Sequence, residues 1–317
     1  MSGIARYAIV RLVSLIPVLF IVALVAFALL RLMPGDPATA MLPVDAPLWQ
    51  IEMLRTQLAL DQPLPIQFYR FITRLASGDL GASLFFRLPV IELIALRFES
   101  TLILALTSLA LAMAVGIPIG VWAADRRGTL LDQSLMATSL IGVSVPNFWL
   151  GLMLILAFAV ERRWFPVTGW VSITDDPVQT MRFLVLPTIA LGMSVAASIA
   201  RMSRSTMLEV LSQDYVRTGR AKGVAHRSLL YKHSLRNAMI PLMAAIGVSF
   251  SSLLGGAVVT ETVFNIPGLG SMLVDSVARR DFPVLQALLL LFAATNVVVH
   301  LFVDLTYVLF DPRIQYG

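Results

Sequence analysis

The chain has 317 residues, of which 58% are hydrophobic and 14% are charged, whereas a soluble globular protein is about half apolar and a quarter charged. These proportions exclude an ordinary cytosolic enzyme, a disordered chain and a nucleic-acid-binding domain. The 24 basic residues exceed the 19 acidic ones by five, and Lys222 and Lys232 are the only lysines. This small surplus fits a membrane protein with one basic face. With no cysteine and three histidines, a metal site or a disulfide is not expected.

Six stretches contain no Asp, Glu, Lys or Arg and come close to the roughly 20 residues that a membrane helix needs. They predict an all-α integral membrane protein with spans at residues 12–30, 100–124, 133–160, 183–200, 237–260 and 282–303.

Two of these stretches leave alternatives open. The stretch 133–160 is too long for one straight crossing, so we expect one end to lie in a loop and a kink at Pro146. The first stretch is alternatively a cleaved signal peptide. Its apolar length and the following Arg31-Leu32-Met33-Pro34 both disfavour that interpretation.

The distribution of Lys and Arg predicts the orientation. With both termini in the cytoplasm, the inside segments carry 13 basic residues and the two short outside loops, 161–182 and 261–281, carry five. The opposite orientation would also require translocation of the eight cations in residues 201–236. We therefore predict cytoplasmic N- and C-termini. The inside segments are 1–11, 125–132, 201–236 and 304–317.

The segment 31–99 shows apolar residues at helical spacing, which predicts short amphipathic helices forming a cap on the outer face. The cap either packs for its own sake or contacts an external partner. The three apolar faces are Ile51, Leu54 and Leu58; Ile66, Tyr69, Ile72 and Leu75; and Val90, Leu93, Ile94 and Phe98.

Residues 201–236, which we name the elbow, predict two helices joined by a tight turn. The first helix should carry an apolar face from Met207 to Val216 and end near Gly223, because glycine tolerates the left-handed geometry of a helix stop. The second should begin near Ser228, a good N-cap, and run into the fifth span. Such a basic elbow either lies on anionic lipid or acts as a lever inserted into a soluble partner.

Several kinds of chemistry have no motif in this chain. It has no Gly-x-x-x-x-Gly-Lys-Ser/Thr, no Gly-x-Ser-x-Gly and no His-Glu-x-x-His, so we do not expect an enzyme or a bound cofactor. The predicted spans contain no ionisable residue except His300. A secondary carrier usually keeps carboxylates inside the membrane, so energy for transport is expected from another chain. A carrier or channel remains an alternative of another class.

Polar side chains inside the predicted spans mostly pair between helices or with the backbone. A minority is expected to line a translocation path, and the candidates are Ser144, Asn147, Ser194, Ser249, Ser252 and Asn296.

A set of short motifs runs through nearly the whole length. They are Met33-Pro34-Gly35-Asp36-Pro37, Leu60-Asp61-Gln62-Pro63, Gly78-Asp79-Leu80-Gly81, Gly116-Ile117-Pro118-Ile119-Gly120, Val145-Pro146-Asn147-Phe148-Trp149, Asp214-Tyr215-Val216-Arg217-Thr218-Gly219-Arg220-Ala221-Lys222-Gly223, Leu235-Arg236-Asn237-Ala238, Thr260-Glu261-Thr262-Val263-Phe264, Pro267-Gly268-Leu269-Gly270, Arg280-Asp281-Phe282-Pro283-Val284 and Asp311-Pro312-Arg313-Ile314. In this order, the set resembles the inner-membrane permease subunits of ABC importers for dipeptides, oligopeptides, glutathione and nickel.

The resemblance implies the type I ABC importer permease fold and a single permease domain over residues 1–317. It also implies a bacterial inner-membrane location and contact with lipid, with no role for nucleic acid. The expected partners are a second homologous permease as a heterodimer, two cytosolic ATPase subunits carrying ATP and Mg, and a periplasmic substrate-binding protein. A permease pair made of two copies of this chain stays open.

In such permeases the elbow resembles the coupling loop that docks on the ATPase. Arg217-Thr218-Gly219 stands where that loop has Glu-Ala-Ala, and Gly223 stands at its glycine. The predicted coupling residues are Arg217, Thr218, Gly219, Arg220, Ala221, Lys222, Gly223 and Val224. A periplasmic gate or receptor contact is predicted at Glu261, Phe264, Pro267, Gly268 and Gly270.

The substrate is left open among peptides, glutathione and nickel. Nickel would be expected to need His or carboxylate ligands along its path, and His300 is the only histidine in a predicted span. Because the predicted spans offer so few such ligands, dipeptides and oligopeptides are favoured over nickel as the substrate.

Overall fold

A computed structural model describes residues 13, 16–28, 38–39, 42, 46–57, 59–83 and 85–310, with residues 57 and 304–310 described by backbone alone. Within these ranges the chain forms eleven principal helices. They are α1 (Ile16–Ala28), α2 (Leu48–Gln57), α3 (Leu64–Ala76), α4 (Val90–Asp125), α5 (Leu130–Ser144), α6 (Asn147–Leu154, continued as a π-helix over Ile155–Glu161), α7 (Pro177–Leu211), α8 (Asp214–Ala221), α9 (a π-helix over Ser228–Ser234, then α-helix over Leu235–Phe264), α10 (Leu269–Ala278) and α11 (Phe282–Phe310). The two chain ends, the motif at 33–37 and Leu58 lie outside the described residues.

Four helices of the described chain are long and apolar enough to cross a membrane: Val90–Asp125, Pro177–Leu211, Ser228–Phe264 and Phe282–Val303. The predicted spans 100–124, 183–200 and 237–260 fall inside the first three, and each of these helices extends beyond its charge-free stretch at both ends. A charge-free stretch stops at the first charged residue, whereas helical hydrogen bonding continues past the apolar layer. The predicted first span coincides with α1, whose described part, Ile16–Ala28, is about 20 Å long.

The predicted span 133–160 consists of two helices, α5 and α6, bent by 95° between Ser144 and Asn147. The kink predicted at Pro146 is present, because this proline caps α6 in an extended conformation. The expectation of one end in a loop is wrong: both arms are helical, and the bend takes up the excess length. If each bent pair counts as one crossing, the described chain has up to five spans.

The tightest packing in the described chain joins α4 to α7. A Cβ atom on Gly116 would lie 2.5 Å from the carbonyl oxygen of Ala196, and one on Gly120 would lie 2.5 Å from that of Ala200. Glycines four residues apart therefore let the two backbones touch, as in other membrane helix pairs. The motif around Pro118 thus has a packing role. The core around this seam includes buried Leu104, Leu184, Leu191, Ile199, Leu242 and Leu253.

Two of the three helices predicted for the segment 31–99 are present as α2 and α3. The helix α3 is amphipathic, whereas α2 also exposes apolar side chains. Phe68 and Phe71 of α3 meet Phe27 of α1 at ring-centroid distances of 5.2 and 5.8 Å, so α3 packs against the first apolar helix, while α2 packs against the start of α11. The third prediction, a separate short helix with its apolar face from Val90 to Phe98, is wrong, because these residues form the first turns of α4. Val90, Leu93 and Ile94 are buried against α10 and α11, whereas Phe98 is exposed.

The turn that follows α3 is held by a carboxylate. Asp79 accepts hydrogen bonds from Nε of Arg74 and from the amide of Gly81, both at 2.8 Å. The hydrogen bond from Arg74, followed by that from Gly81, lowers the pKa of Asp79. Gly78 and Gly81 have φ values of +80° and +84°, which explains the two glycines of this motif. The turn then leads into Ser83, which hydrogen-bonds the buried Asp281 just before α11.

Candidate functional site

The elbow begins as a straight continuation of α7, which runs to Leu211. A turn at Ser212 and Gln213 separates it from the short helix α8, so the single amphipathic helix predicted up to Gly223 is in fact two. The second predicted helix is present, but Ser228 is not its N-cap. Helical hydrogen bonding already starts upstream, with the amide of Leu229 donating to the carbonyl of Ala225 at 3.0 Å.

Gly223 ends the turn after α8 with a φ of +73°. Its amide donates to the carbonyl of Arg220, and the amide of Val224 donates to that of Gly219 at 3.1 Å. A Cβ atom at Gly223 would meet nothing within 4 Å. The glycine is therefore required by its left-handed backbone and not by crowding, as the sequence predicted.

Most of the predicted coupling residues face outward. Arg217, Thr218, Arg220, Ala221, Lys222, Gly223 and Val224 are exposed, and Gly219 is half-buried. A Cβ atom on Gly219 would lie 2.9 Å from Cδ1 of Leu229, so a small residue is needed where the two arms of the elbow approach. Val216, fully buried, anchors α8. The elbow thus has an exposed cationic surface and is anchored by a buried apolar side chain.

Three polar contacts fasten the elbow to the long helices. Nε2 of His226 lies 2.7 Å from Oδ1 of Asp125, and Nε1 of Trp122 donates to the hydroxyl of Tyr231 at 3.0 Å. The amide of Asn237 donates to the hydroxyl of Tyr215 at 2.9 Å. The first two contacts join the elbow to the last turn of α4, and the third joins α8 to α9. The helix α8 is therefore connected directly to α9, and α4 is connected to the residues at the start of α9.

In the first turns of the elbow, which are part of α7, an ion pair joins α7 to the start of α5. Arg204 donates from Nε and Nη2 to the two carboxylate oxygens of Asp132 at 2.6 and 2.7 Å. The Asp132 side chain is 4% exposed, and the amide of Gly128 also donates to it. This bidentate geometry fixes the orientation of both side chains.

Near the opposite end of α4, Thr101 contacts the buried carboxylate of Glu261, which lies on α9. Its Oε1 accepts from the Thr101 hydroxyl at 2.6 Å, and its Oε2 accepts from the amide of Ser271 at 2.9 Å. The same Thr101 hydroxyl accepts from the amide of Leu269 at 2.8 Å. The carboxylate therefore caps the start of α10, where helix amides lack partners. We name Thr101, Glu261 and residues 266–271 the latch.

Most of the residues predicted as a gate or receptor contact belong to the latch or pack beneath it. Glu261, Phe264, Gly268 and Gly270 are buried, and Pro267 is exposed. A Cβ atom on Gly270 would lie 2.5 Å from Cα of Val258, and one on Gly268 would overlap the Glu261 carboxylate. In the isolated chain Glu261 is thus a structural cap, and Pro267 is the exposed member of the five.

A cavity of about 420 Å³ lies beside the latch. Its walls come from α4, the loop before α7, the turn after α9 and α10. The lining residues include Arg97, Trp170, Asn265, Ile266, Val274 and Asp275.

Among the hydrogen bonds of the described residues, none joins two of the six predicted path residues. Five of them hydrogen-bond a carbonyl three or four residues earlier on their own helix: Ser144, Ser194, Ser249, Ser252 and Asn296. The sixth, Asn147, lies near Gly256, whose added Cβ would be 3.6 Å from the Asn147 amide nitrogen. Their assignment to a path stays a prediction. Within the described ranges, no three His, Asp or Glu side chains come together as a metal site.

Two family models match the chain. Residues 116–316 match the "Binding-protein-dependent transport system inner membrane component" and residues 4–105 match the N-terminal domain of such membrane components. The chain therefore belongs to the family of inner-membrane components of binding-protein-dependent transport systems, and the predicted resemblance to ABC importer permeases is confirmed.

The named relatives are permease subunits of ABC transporters. One is the probable peptide ABC transporter permease protein y4tP of Sinorhizobium fredii, 43% identical over 98% of this chain and 99% of its own length. Another is the glutathione transport system permease protein GsiC of Escherichia coli K12, 44% identical over 98% of this chain and 99% of its own length.

Among solved structures, the fold is similar to that of the MetNI methionine ABC transporter in inward-facing conformations. The TM-score is 0.59 at 20% identity, over 70% of this chain and 97% of the matched chain. This likeness concerns the fold alone and supports the predicted all-α fold class.

Proposed function

We propose that the chain is the permease subunit of an ATP-driven importer for small peptides, coupled to separate ATPase subunits through the elbow. The observation that carries the coupling role is the geometry of the elbow. It has an exposed cationic surface, a left-handed stop at Gly223, and direct contacts to α4 and α9.

Two observations bear on the substrate class: the names of the relatives and the lack of a metal-ligand cluster in the described residues. The y4tP and GsiC proteins are named for peptide and for glutathione transport, and glutathione is itself a small peptide. A nickel path would be expected to bring His or carboxylate ligands together, and the described chain has no such cluster of three. Small peptides, of which glutathione is one, therefore fit better than nickel.

The proposed assembly has two permeases in a bacterial inner membrane, the second a homologous chain, with ATP and Mg on two cytosolic ATPase subunits and a periplasmic receptor. The elbow faces the cytoplasm, which agrees with its eight basic residues at 201–236. The latch then lies on the periplasmic side, because α4 has 36 residues and is about 54 Å long.

The mechanism follows from this arrangement. Closure of the ATPase pair on ATP moves the elbows, and the contacts of His226 and Tyr231 with α4 pass the movement to the membrane helices. The helices then alternate between inward-open and outward-open states. Coupling of this kind requires different contacts in the two states, and the exposed elbow is where such contacts can change.

The test compares Gly223→Val with Gly223→Asn in the complete transporter in proteoliposomes. Valine is strained in the left-handed region, whereas asparagine tolerates it. We expect Gly223→Val to assemble but to lower peptide uptake per ATP hydrolysed by roughly tenfold, within the usual range of coupling energies. Gly223→Asn should stay near wild type. Unchanged coupling in Gly223→Val, or uptake by this chain alone without nucleotide, would overturn the proposal.

A further inference from the structure

The cavity beside the latch has the size of a small-molecule site. Its volume of about 420 Å³ lies within the range of roughly 300–1,000 Å³ that is typical for ligand pockets. A small ligand therefore fits into it.

Two opposite charges line this cavity without an ion-pair partner of their own. Arg97 and Asp275 are both half-buried lining residues, and in the described part of the chain neither takes part in a salt bridge. The third charged lining residue, Glu261, is occupied by Thr101 and by the amide of Ser271. The charge of Arg97 also acts on the Glu261 carboxylate, but neither Arg97 nor Asp275 is neutralised by a direct ion pair within the described residues. A cation and an anion in one cavity complement a ligand that carries both charges.

The apolar part of the lining adds an aromatic surface. Trp170 is a half-buried lining residue, and Ile266 and Val274 also belong to the lining. The guanidinium of Arg97 lies 5.7 Å from the centre of the Phe86 ring, a cation–π contact that restrains its position. The cavity thus combines a positioned cation, an anion and a surface for a hydrophobic side chain.

The walls are held in place before any ligand arrives. Glu99 accepts hydrogen bonds from the hydroxyl of Ser172 and the amide of Ile173, both at 2.9 Å. The Thr180 hydroxyl donates to the carbonyl of Val171 at 2.9 Å. On the other side, the latch fixes α10 and the turn at Asn265. A preformed site of this kind avoids much of the entropic cost of binding.

We propose that this cavity is a binding site on the permease itself for the two charged ends of a short peptide. Arg97 binds the C-terminal carboxylate, Asp275 binds the N-terminal ammonium, and Trp170 contacts an intervening side chain. A ligand with only a negative charge is disfavoured by Asp275 and Glu261, and one with only a positive charge by Arg97. The site rests on the proposed function as a peptide importer and adds a selection step after the receptor.

The test measures equilibrium dialysis of tritiated dialanine against the complete transporter in nanodiscs, without receptor or nucleotide. We expect saturable binding that unlabelled dialanine displaces and N-acetyl-dialanine amide, which lacks both charges, does not. Arg97→Gln and Asp275→Asn should each weaken binding by about tenfold or more, because each removes one charge-assisted contact. Arg97→Lys should weaken it less. The matched control is Arg279→Gln, since Arg279 stacks on Phe85 outside the cavity lining.

Three results would overturn the site: no saturable dialanine binding, equal displacement by the capped peptide, or unchanged binding in both charge variants. If the variants instead weaken docking of the receptor and leave dialanine binding intact, the cavity belongs to the receptor interface and the proposal fails. Uptake of dialanine by wild-type proteoliposomes is measured separately. ATP-driven uptake without binding to the permease overturns the site alone, whereas absence of uptake overturns the proposed function.

Discussion

The two ends of α4 meet the same helix, α9, through polar contacts of opposite kinds. At the latch, Thr101 contacts Glu261, and both side chains are buried with every carboxylate oxygen hydrogen-bonded. At the elbow, Asp125 contacts a histidine, His226, that is 59% exposed. One end is closed by buried charge-assisted hydrogen bonds, and the other is joined through solvent-facing side chains.

This difference separates stability from mechanical function. Buried, satisfied polar groups are costly to disturb because a lost partner leaves a desolvated charge. Exposed contacts cost little to break, since water replaces the partner. The latch end should therefore stay rigid while the elbow end rearranges, and variants at the two ends should differ in which property they change.

The largest expected effect is that of Gly268→Ala. Its Cβ atom would overlap the carboxylate of Glu261, which is held in place by Thr101 and by the amide of Ser271. Displacing this buried charge should cost about 3–5 kcal/mol and leave little folded protein after detergent extraction. The measurement is fluorescence-detected size-exclusion chromatography of the solubilised permease complex.

The control for Gly268→Ala is Gly255→Ala, because a Cβ atom at Gly255 meets nothing within 4 Å. This variant should remain folded at wild-type levels. Equal yields of the two alanine variants would contradict a tightly packed latch.

Glu261→Gln should have the second-largest effect. The amide keeps the shape of the side chain but replaces one acceptor oxygen with a donor that faces either Thr101 or the amide of Ser271. The loss of charge-assisted hydrogen bonds should cost about 2 kcal/mol, which corresponds to a fall of about 5 °C in the apparent Tm. Glu92→Gln on the exposed first turn of α4 serves as control, and a similar shift in both would argue against the buried network.

Tyr215→Phe examines the elbow end. It removes the hydroxyl that accepts from Asn237, and the expected loss of stability is about 1 kcal/mol or less. Uptake per ATP hydrolysed should nevertheless fall, because the contact between α8 and α9 is weakened. A large drop in apparent Tm with unchanged coupling would reverse the distinction between the two ends.

The smallest effect is expected for Asp79→Asn in the turn after α3. The pKa of Asp79 is lowered in the folded protein, so its stabilisation is present above the unfolded pKa of about 3.9 and is lost as the pH falls through the folded value. Both partners are about half exposed, and solvent screening limits the effect to about 0.5 kcal/mol. The apparent Tm difference from wild type should disappear in acid, and a difference that persists there would exclude the ion pair as its cause.

The positions of the long helices were predictable because charge-free stretches are set by composition alone. Their ends were not, since Glu92, Arg97 and Glu99 lie on helical turns that the charge criterion excluded. The kink at Pro146 followed from the missing amide of proline. Its angle of 95° depends on how α5 and α6 pack, which no local pattern specifies.

The elbow was more accessible to sequence reasoning than the latch. Gly223 lies at a helix stop, and a stop is a local property of the backbone. The partners of Glu261 include Thr101, 160 positions earlier in the chain, and a carboxylate at a predicted span end gives no sign of that contact. The cavity beside the latch was missed for the same reason. The sequence shows that Arg97 and Asp275 are charged residues outside the predicted spans, but not that they line one cavity.

The π-helix over Ser228–Ser234 has a consequence for the direction in which the elbow points. A π-turn accommodates a surplus residue without breaking the helix, and each residue of an α-helix advances the chain by about 100° around the axis. The wider turns of the π-helix rotate the chain by less per residue than this, so the surplus residue is absorbed with little net rotation. The azimuth of the Arg217–Lys222 surface around α9 is thus nearly the one that an uninterrupted α-helix with one residue fewer would give.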